Sequence, residues 1–210
     1  MTRSAPEIVV DAFGLTDVGV VRANNEDNFL IESSSNRIAP TPSAHGIATG
    51  NAQGSIFIVA DGMGGMQAGE VASQMAVKLV ASRLSDQLKQ NSPRNRKAFA
   101  RLLTNAIEET NKLVLEESER NSTLKGMGTT ITAAAVFDKT MYFAQLGDSR
   151  GYLVRHGNIK QMTRDQSLVA QLIADGALRP EEAKTIRAAT LFCRPSGSKR
   201  KSTWPLPAST

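Results

Sequence analysis

The sequence predicts an α+β domain built on antiparallel strands. Two long segments with helical periodicity lie between groups of short β-branched runs. The runs that follow the helices are separated by turn sequences of only three residues, which favours hairpins over parallel crossovers. A chain of 210 residues with 40% hydrophobic and 21% charged residues is long enough to bury the core of one such domain.

The N-terminal part of the chain predicts three strands. Residues 8–15 and 28–32 carry the β-branched and alternating patterns of strands. Residues 33–54 are rich in Ser, Pro, Ala, Asn and Gly, which predicts an exposed loop. Residues 55–60 read as a buried strand that runs into a tight glycine-rich turn at 61–65.

Two long helices follow this turn. Apolar residues recur at helical spacing from 69 to 90, and again from Pro93 to about Arg120. Ser92 is the expected N-cap of the second helix, with Pro93 in its first turn. The expected buried stripes are Val71, Met75, Leu79, Leu84 and Leu88 in the first helix, and Phe99, Leu102, Leu103, Ala106, Ile107, Leu113 and Val114 in the second.

The last part of the chain predicts two hairpins and two short helices. The hairpins pair 129–137 with 141–146 and 151–155 with 159–162. The turns between them are Asp138-Lys139-Thr140 and His156-Gly157-Asn158. The helices are expected at 166–174, ending near Gly176, and from Arg179 onward.

Charge and cysteine content weigh against nucleic-acid binding and against an internal disulfide. The formal charge is +5, but five of the 25 basic residues lie in 187–210, where there is no acidic residue, and the remainder is neutral. A basic tail without interleaved aromatic residues is a weak nucleic-acid signal, so nucleic-acid binding is not expected. The single cysteine, Cys193, cannot form an internal disulfide. With neither a signal peptide nor a membrane span expected, the predicted location is the cytoplasm.

Five short stretches carry the candidate catalytic and metal-binding residues. They are Arg22–Asn28 (RANNEDN), Val59–Gly65 (VADGMGG) with Gly69-Glu70 beyond it, Gly126–Thr130 (GMGTT), Leu146–Tyr152 (LGDSRGY) and Met162–Val169 (MTRDQSLV). An aspartate that ends a buried strand and enters a glycine turn supplies oxygen ligands for a hard divalent cation. Each stretch taken alone also fits an ordinary turn or strand start.

Taken in order, the five stretches resemble the metal-dependent Ser/Thr protein phosphatases of type 2C, and in particular their bacterial members. The resemblance covers residues 13–184. It implies a four-layer α-β-β-α sandwich with two antiparallel sheets and a metal site at one end. It also implies hydrolysis of phosphoserine and phosphothreonine in proteins by a metal-activated water.

The same resemblance implies the site residues. Glu26 and Asp61 would bind two Mn²⁺ or Mg²⁺ ions, with Asp61 bridging them, and Gly62 would add its backbone carbonyl. Asp148 would help to hold a third, weaker ion. Asp27 would orient a water molecule, and Arg22 would hold the substrate phosphate through two hydrogen bonds.

The two histidines and the single cysteine are not expected to be catalytic. His45 and His156 lie outside the motifs, and Cys193 lacks the surroundings of a cysteine phosphatase loop. Gln166 stands where the family usually has histidine, which puts the local geometry there in question.

The resemblance ends near Lys184. We expect a type 2C phosphatase-like domain at 1–186 that is incomplete at its C-terminus, and a basic, disordered tail at 187–210. The family continues with a His-Pro-x-Arg-Asn segment and with S-D-G and D-N motifs whose aspartates bind metal. Codons for Thr185 and the six residues that follow it, read one base earlier, can spell that His-Pro segment. A frameshift is therefore one hypothesis, and a short natural variant is the other.

The missing aspartates lead to an expectation of weakened metal binding and impaired turnover. Three functions therefore remain open: an impaired phosphatase, a catalytically dead module that still binds phosphoproteins, and, last, a nucleic-acid binder using its tail. The expected partners are phosphorylated proteins, such as the targets of a Ser/Thr kinase in signalling, and the chain is expected to be a monomer.

Overall fold

The computed structural model describes residues 9–32, 55–64 and 68–166, together with the backbone of two strands at 37–38 and 43–48. The chain divides into units 1–166 and 167–210, and all described residues belong to the first. The helices predicted at 166–174 and from Arg179 lie outside the described residues, apart from Gln166 itself. The same holds for the tail at 187–210.

The described elements are ten strands, two long helices and one 3-10 turn. They run β1 (Val10–Leu15), β2 (Asp27–Glu32), β3 (Arg37–Ile38), β4 (Ser43–Ala48), β5 (Ile56–Met63), α1 (Ala68–Gln90), α2 (Arg96–Arg120), a 3-10 helix (Ser122–Leu124), β6 (Gly128–Thr129), β7 (Ile131–Phe137), β8 (Thr140–Leu146), β9 (Tyr152–Arg155) and β10 (Asn158–Gln161). Helices and antiparallel sheets thus share one unit, which confirms the α+β prediction.

The main sheet is antiparallel and has the order β3-β2-β5-β7-β8. The short strand β6 also pairs with β5, at the last two residues of that strand. Its register aligns Asp27 with Asp61, and Ile131 with Leu146. The start of β2, the end of β5, the start of β7 and the end of β8 therefore lie at one end of the sheet. This end carries four of the five motif stretches.

Both helices pack on one face of this sheet and enclose the principal core. Alternate residues of β5, Ile56, Ile58 and Ala60, are buried against α1. Phe99 of α2 is fully buried, stacks on Phe137 at 4.6 Å between ring centroids, and meets Tyr142 edge-on at 5.0 Å. Aromatic pairs of this kind add to the free energy gained from burial alone.

The opposite face of the main sheet carries a ribbon formed by β1 and β4. Phe29, Ile31 and Phe57 form a small cluster there, against which Ala12 of β1 packs. A Cβ added at Gly14 would lie 2.3 Å from the Phe29 ring, so glycine permits this close approach. The described part of the chain thus supplies helices, the main sheet and a ribbon on its far face.

Both predicted hairpins are confirmed. The β7–β8 turn has positive φ at Asp138 (47°) and Lys139 (58°), and the β9–β10 turn has positive φ at His156 (51°) and Gly157 (74°). Two central residues with positive φ are the signature of the two-residue turn whose twist matches a right-handed β-ribbon.

Two predictions for the segment before α1 are wrong. Residues 33–54 are not all loop, because they contain β3 and β4; β4 pairs along its whole length with β1. Pairing with a distant strand stabilises a segment whose own composition is typical of loops. In addition, β5 does not stop before Asp61 but continues to Met63, since β6 pairs with Gly62 and Met63.

The buried face of α1 also differs from the prediction. Val71 is exposed and Leu79 half-buried, whereas the face that contacts the sheet consists largely of small residues: Ala68, Gly69, Ala72, Ser73, Ala76, Val77, Val80, Ala81 and Leu84. Small side chains let the helix approach the sheet closely. Leu84 is buried as predicted, and Met75 and Leu88 are half-buried against the core, so the predicted stripe is wrong at Val71 and incomplete at Leu79.

The start of α2 lies three residues later than predicted. Asn95, not Ser92, is the N-cap, and its side-chain oxygen accepts a hydrogen bond from the Ala98 amide at 2.9 Å. The stripe predicted for α2 is otherwise confirmed, with Leu102 and Leu113 only half-buried. Within the described ranges, neither long helix carries an apolar stretch sufficient to cross a bilayer.

Candidate functional site

Asp27 and Asp61 form the centre of the candidate site. They are cross-strand partners in the β2–β5 ladder, so their side chains share one face of the sheet. The neighbouring residues in the same strands, Asn28 and Ala60, are buried on the opposite face towards α1. Two carboxylates placed opposite each other repel unless a proton or a cation lies between them.

The pKa of Asp61 is raised by burial and also by the nearby carboxylate of Asp27. It rises from 3.8 to about 6, first because surrounding protein atoms desolvate the carboxyl, and then because of the charge of Asp27 and a hydrogen bond with it. The charge of Asp148 raises it further, and Arg22 lowers it. Four predicted site residues, Arg22, Asp27, Asp61 and Asp148, are therefore close enough to influence one another electrostatically.

Arg22 is exposed on the loop between β1 and β2. Two side-chain contacts shape this loop: Asp17 accepts a hydrogen bond from the Gly19 amide at 2.7 Å, and Asn25 donates one to the Thr16 hydroxyl at 2.7 Å. The Asn25 side chain also accepts from the Asp27 amide at 3.0 Å, which joins the loop to the first residue of β2. The Arg22 side chain is exposed, and its charge acts to lower the pKa of Asp61.

Glu26 is half-buried and fixed mainly through its backbone. Its carbonyl accepts hydrogen bonds from the Gly62 amide at 3.2 Å and from the Ser73 hydroxyl at 2.5 Å. A Cβ added at Gly69 would lie 2.1 Å from Glu26 Oε2, so the carboxylate rests directly against the start of α1. Gly62 is buried in the same contact, and its added Cβ would meet the Gly69 carbonyl at 2.2 Å.

Asp148 lies half-buried in the loop after β8, where Gln145 and Gln166 hold the backbone. The buried Gln145 amide donates to the carbonyls of Gly147 and Ser149 at 2.9 and 2.8 Å. Gln166 accepts from the Gly147 amide at 3.2 Å and donates its own backbone amide to the Gly147 carbonyl at 2.9 Å. At the position where the family usually has histidine, glutamine therefore still contacts the loop that carries Asp148.

Sequence reasoning gave no role to the stretch Gly126–Thr130 beyond its place in the pattern. In the structure the Asp61 carbonyl accepts hydrogen bonds from the Thr130 amide at 2.9 Å and from the Thr129 hydroxyl at 3.0 Å. The Asp61 amide donates to the Thr130 hydroxyl at 3.1 Å. The repeated threonines in an otherwise glycine-rich stretch were the signal that could have found them.

An ion pair joins the fourth and fifth stretches. Arg150 Nε donates to the two carboxylate oxygens of Asp165 at 3.0 and 2.9 Å, and Gln161 donates to the same carboxylate at 2.9 Å. The hydrogen bond from Arg150 is the main cause of a lowered pKa at Asp165, and it raises the pKa of Arg150 in turn. This ion pair therefore links the residues just after Asp148 to the residues just before Gln166.

The ligand atoms are of the type that a hard cation prefers, but the described side chains supply too few of them for a complete site. Asp27 and Asp61 offer carboxylate oxygens side by side, the ligand type that hard divalent cations prefer. Within the part of the chain that the structure describes, however, no three His, Cys, Asp or Glu side chains converge as a group that could hold a metal ion. The described side chains thus supply part of a ligand set.

Comparison with known proteins decides the family. The profile named Protein phosphatase 2C matches residues 43–179. The chain belongs to the protein phosphatase 2C family. It is 36% identical over 188 residues to the Serine/threonine phosphatase stp of Listeria monocytogenes, covering 89% of this chain and 66% of that protein. It is 33% identical over 179 residues to the phosphatase PstP of Mycobacterium tuberculosis, covering 85% of this chain and 29% of PstP.

Solved structures of family members share the fold. The Serine/threonine phosphatase Stp1 of Staphylococcus aureus superimposes with a TM-score of 0.65 at 30% identity, over 91% of this chain and 68% of Stp1. The catalytic domain of PstP, solved in complex with two manganese ions, gives 0.59 at 32% identity, over 84% of this chain and 65% of that domain. The chain spans just under two thirds of the length of the Listeria relatives that it matches.

Proposed function

We propose that this protein phosphatase 2C chain acts on phosphoserine and phosphothreonine in proteins by metal-dependent hydrolysis. The observation that carries the proposal is the pairing of Asp27 and Asp61 across β2 and β5, with Arg22 and Asp148 close enough to shift the pKa of Asp61. Relatives at 33–36% identity are named Ser/Thr phosphatases, which supports this substrate class.

Arg22 is proposed to hold the substrate phosphate. Its guanidinium offers two parallel N–H groups to a phosphoryl group, a geometry that an ammonium cannot provide. It is exposed, and its loop is closed by the Asn25–Thr16 hydrogen bond, so a protein substrate can reach it. The substrate phosphate would then lie beside the carboxylates of Asp27 and Asp61.

Asp61 and Glu26 are proposed to hold Mn²⁺ or Mg²⁺, with the Gly62 carbonyl as a further oxygen donor and Asp148 at a weaker position. Bound divalent cations supply a nucleophilic water at neutral pH and neutralise charge on the phosphoryl oxygens. Asp27, exposed beside Asp61, is proposed to accept a hydrogen bond from the attacking water and so to orient it. Below about pH 6, where Asp61 would hold a proton without metal, cation binding would release that proton.

The level of activity is a separate proposal. Because the described carboxylates form no group of three that could hold a metal, we expect weaker metal binding and slower turnover than in a phosphatase with a complete ligand set. The same observation keeps a second candidate open, a catalytically dead module that binds phosphoproteins through Arg22. A monomer in the cytoplasm that acts on targets of a Ser/Thr kinase completes the proposal.

Phosphate release and metal titration separate the two candidates. The purified 210-residue chain is given a phosphothreonine peptide with and without Mn²⁺, and Mn²⁺ binding is measured by calorimetry. Manganese-dependent release that is lost in Asp61→Asn, but kept in the exposed control Asp86→Asn, supports the phosphatase. Peptide binding that depends on Arg22 without Mn²⁺ binding or phosphate release supports the binding module and refutes the enzyme.

A further inference from the structure

We propose that Thr130 is a positioning residue that fixes the separation between Asp61 and Asp148. The inference deepens the proposed function, because it assigns a role in building the same cation site. It concerns the stretch Gly126–Thr130, whose residues touch neither the substrate nor the cation in that proposal. The buried Thr130 hydroxyl contacts both the Asp61 amide and the Ser149 hydroxyl.

On one side, Thr130 holds the backbone of Asp61. The Asp61 amide donates to Thr130 Oγ1 at 3.1 Å, and the Thr130 amide donates to the Asp61 carbonyl at 2.9 Å. The two residues thus exchange hydrogen bonds in both directions at the end of β5, just beyond the regular β5–β7 pairing, which ends at Val59 and Thr132. Asp61 cannot shift along the strand without breaking both bonds.

On the other side, Thr130 contacts both residues that flank Asp148. Its Oγ1 lies 2.7 Å from the hydroxyl of Ser149, a distance at which one hydroxyl donates to the other. Its methyl group packs against Gly147, where an added Cβ would lie 2.8 Å from Thr130 Cγ2. Gly147 has a φ of 100°, so the chain turns tightly around the threonine before it reaches Asp148.

The bridge opposes an electrostatic force. The contacts of Thr130 hold the segments of Asp61 and Asp148 near each other, and two like charges repel. Thr130 is only 2% exposed, so water is poorly placed to replace its hydroxyl. Metal ligands must lie within about 0.2 Å of their ideal distances. Without the hydroxyl, the Asp61 amide and the Ser149 hydroxyl lose their shared partner, and the link between the two aspartates is weakened, although Thr132 still donates to the Ser149 carbonyl at 3.0 Å.

The test uses two variants of Thr130 and a matched control. Thr130→Val keeps the shape and the methyl contact but removes the hydroxyl, whereas Thr130→Ser keeps the hydroxyl. The control is Thr110→Val, since Thr110 is fully buried in α2 and its hydroxyl donates to the Ala106 carbonyl at 2.7 Å, away from the site. All three are compared with the wild-type chain for thermal stability, which detects a general loss of folding.

Two readouts decide the proposal. In metal-free buffer, amide hydrogen exchange at Asp61 and in the 147–149 loop should accelerate about tenfold in Thr130→Val, the equivalent of one hydrogen bond, and stay near wild type in Thr130→Ser and Thr110→Val. Calorimetric Mn²⁺ affinity should fall about tenfold to a hundredfold in Thr130→Val and return in Thr130→Ser.

Opposite outcomes overturn the inference. Unchanged exchange at Asp61 and in the loop in Thr130→Val would show that the hydroxyl does not hold the two segments together. A Mn²⁺ affinity that falls equally in Thr110→Val would show a general effect of stability. If the wild-type chain binds no Mn²⁺, the proposed function fails, and the exchange measurement alone decides whether Thr130 joins the two segments.

Discussion

Replacement of Gly69 by alanine is expected to disable one proposed metal ligand while leaving the fold intact. Gly69 is the second residue of α1, and a Cβ there would lie 2.1 Å from Glu26 Oε2 and 2.8 Å from Glu26 Cδ. The nearest atoms belong to the far end of a flexible side chain, which can move aside, and the Met63 amide nitrogen lies farther away at 2.9 Å. At Gly62, by contrast, the added Cβ would meet backbone oxygens of Gly69 and Glu26 at 2.2 and 2.4 Å, which cannot.

The size of the displacement follows from these distances. Ordinary contact begins near 3.4 Å, so Oε2 must retreat by at least about 1.3 Å, several times the tolerance of about 0.2 Å in a metal–ligand bond. Loss of this ligand should weaken Mn²⁺ binding by at least about tenfold. The free energy of unfolding should change by no more than about 1 kcal/mol, because alanine favours the helix but its Cβ also comes within 2.9 Å of the Met63 amide nitrogen.

Calorimetric titration with Mn²⁺ and thermal unfolding are measured for the wild type, Gly69→Ala, Glu26→Ala and the double variant. The methyl is expected to weaken Mn²⁺ binding through the Glu26 carboxylate, whereas its contact with the Met63 amide nitrogen affects stability. Gly69→Ala should therefore weaken binding in the wild-type background and have no further effect on binding in Glu26→Ala. Wild-type affinity in Gly69→Ala, or an equal loss in the Glu26→Ala background, would refute this reasoning.

Three further predictions concern charge, phosphate binding and capping. In metal-free buffer the free energy of unfolding should fall by about 1 kcal/mol, allowing for solvent screening, as pH rises from about 4 through 6. The reason is that the raised pKa of Asp61 stabilises the folded state only while Asp61 is protonated. Urea unfolding of Asp61→Asn should lack this decline. Arg22→Lys should raise KM for a phosphopeptide about tenfold while calorimetric Mn²⁺ affinity stays unchanged, since only the two-point phosphate contact is lost; an equal loss of metal affinity would contradict this role. Asn95→Ala should destabilise the chain by about 1 kcal/mol and Ser92→Ala by less than about 0.5 kcal/mol in urea unfolding, and the reverse order would reinstate the earlier cap.

The strands and helices were predictable where local pattern and local structure coincide. The turn at Asp138-Lys139 was found because two β-branched runs flank a short polar connection. The buried stripe of α2 was found because Phe99, Leu103 and Val114 are large and regularly spaced. In these segments the same residues determine both the local conformation and the packing.

The predictions failed where a distant partner decides the conformation. Residues 43–48 become β4 because β1 offers a full ladder of hydrogen bonds, although their own composition is typical of a loop. The face of α1 that contacts the sheet is chosen by the space above β5, which admits Ala72 and Ala76 and leaves Val71 exposed. Neither the partner strand nor that space is visible in the local pattern.

The sequence by itself determined the family and predicted the residues of the candidate site, because the five motif stretches keep their order and spacing. It named Arg22, Asp27, Asp61 and Asp148 without showing how they meet. Only the tertiary structure decided that Asp27 and Asp61 are opposite each other, since strand register is a property of two segments and of neither alone. Tertiary structure likewise placed the Thr130 hydroxyl between Asp61 and Ser149, a contact between residues far apart in the chain.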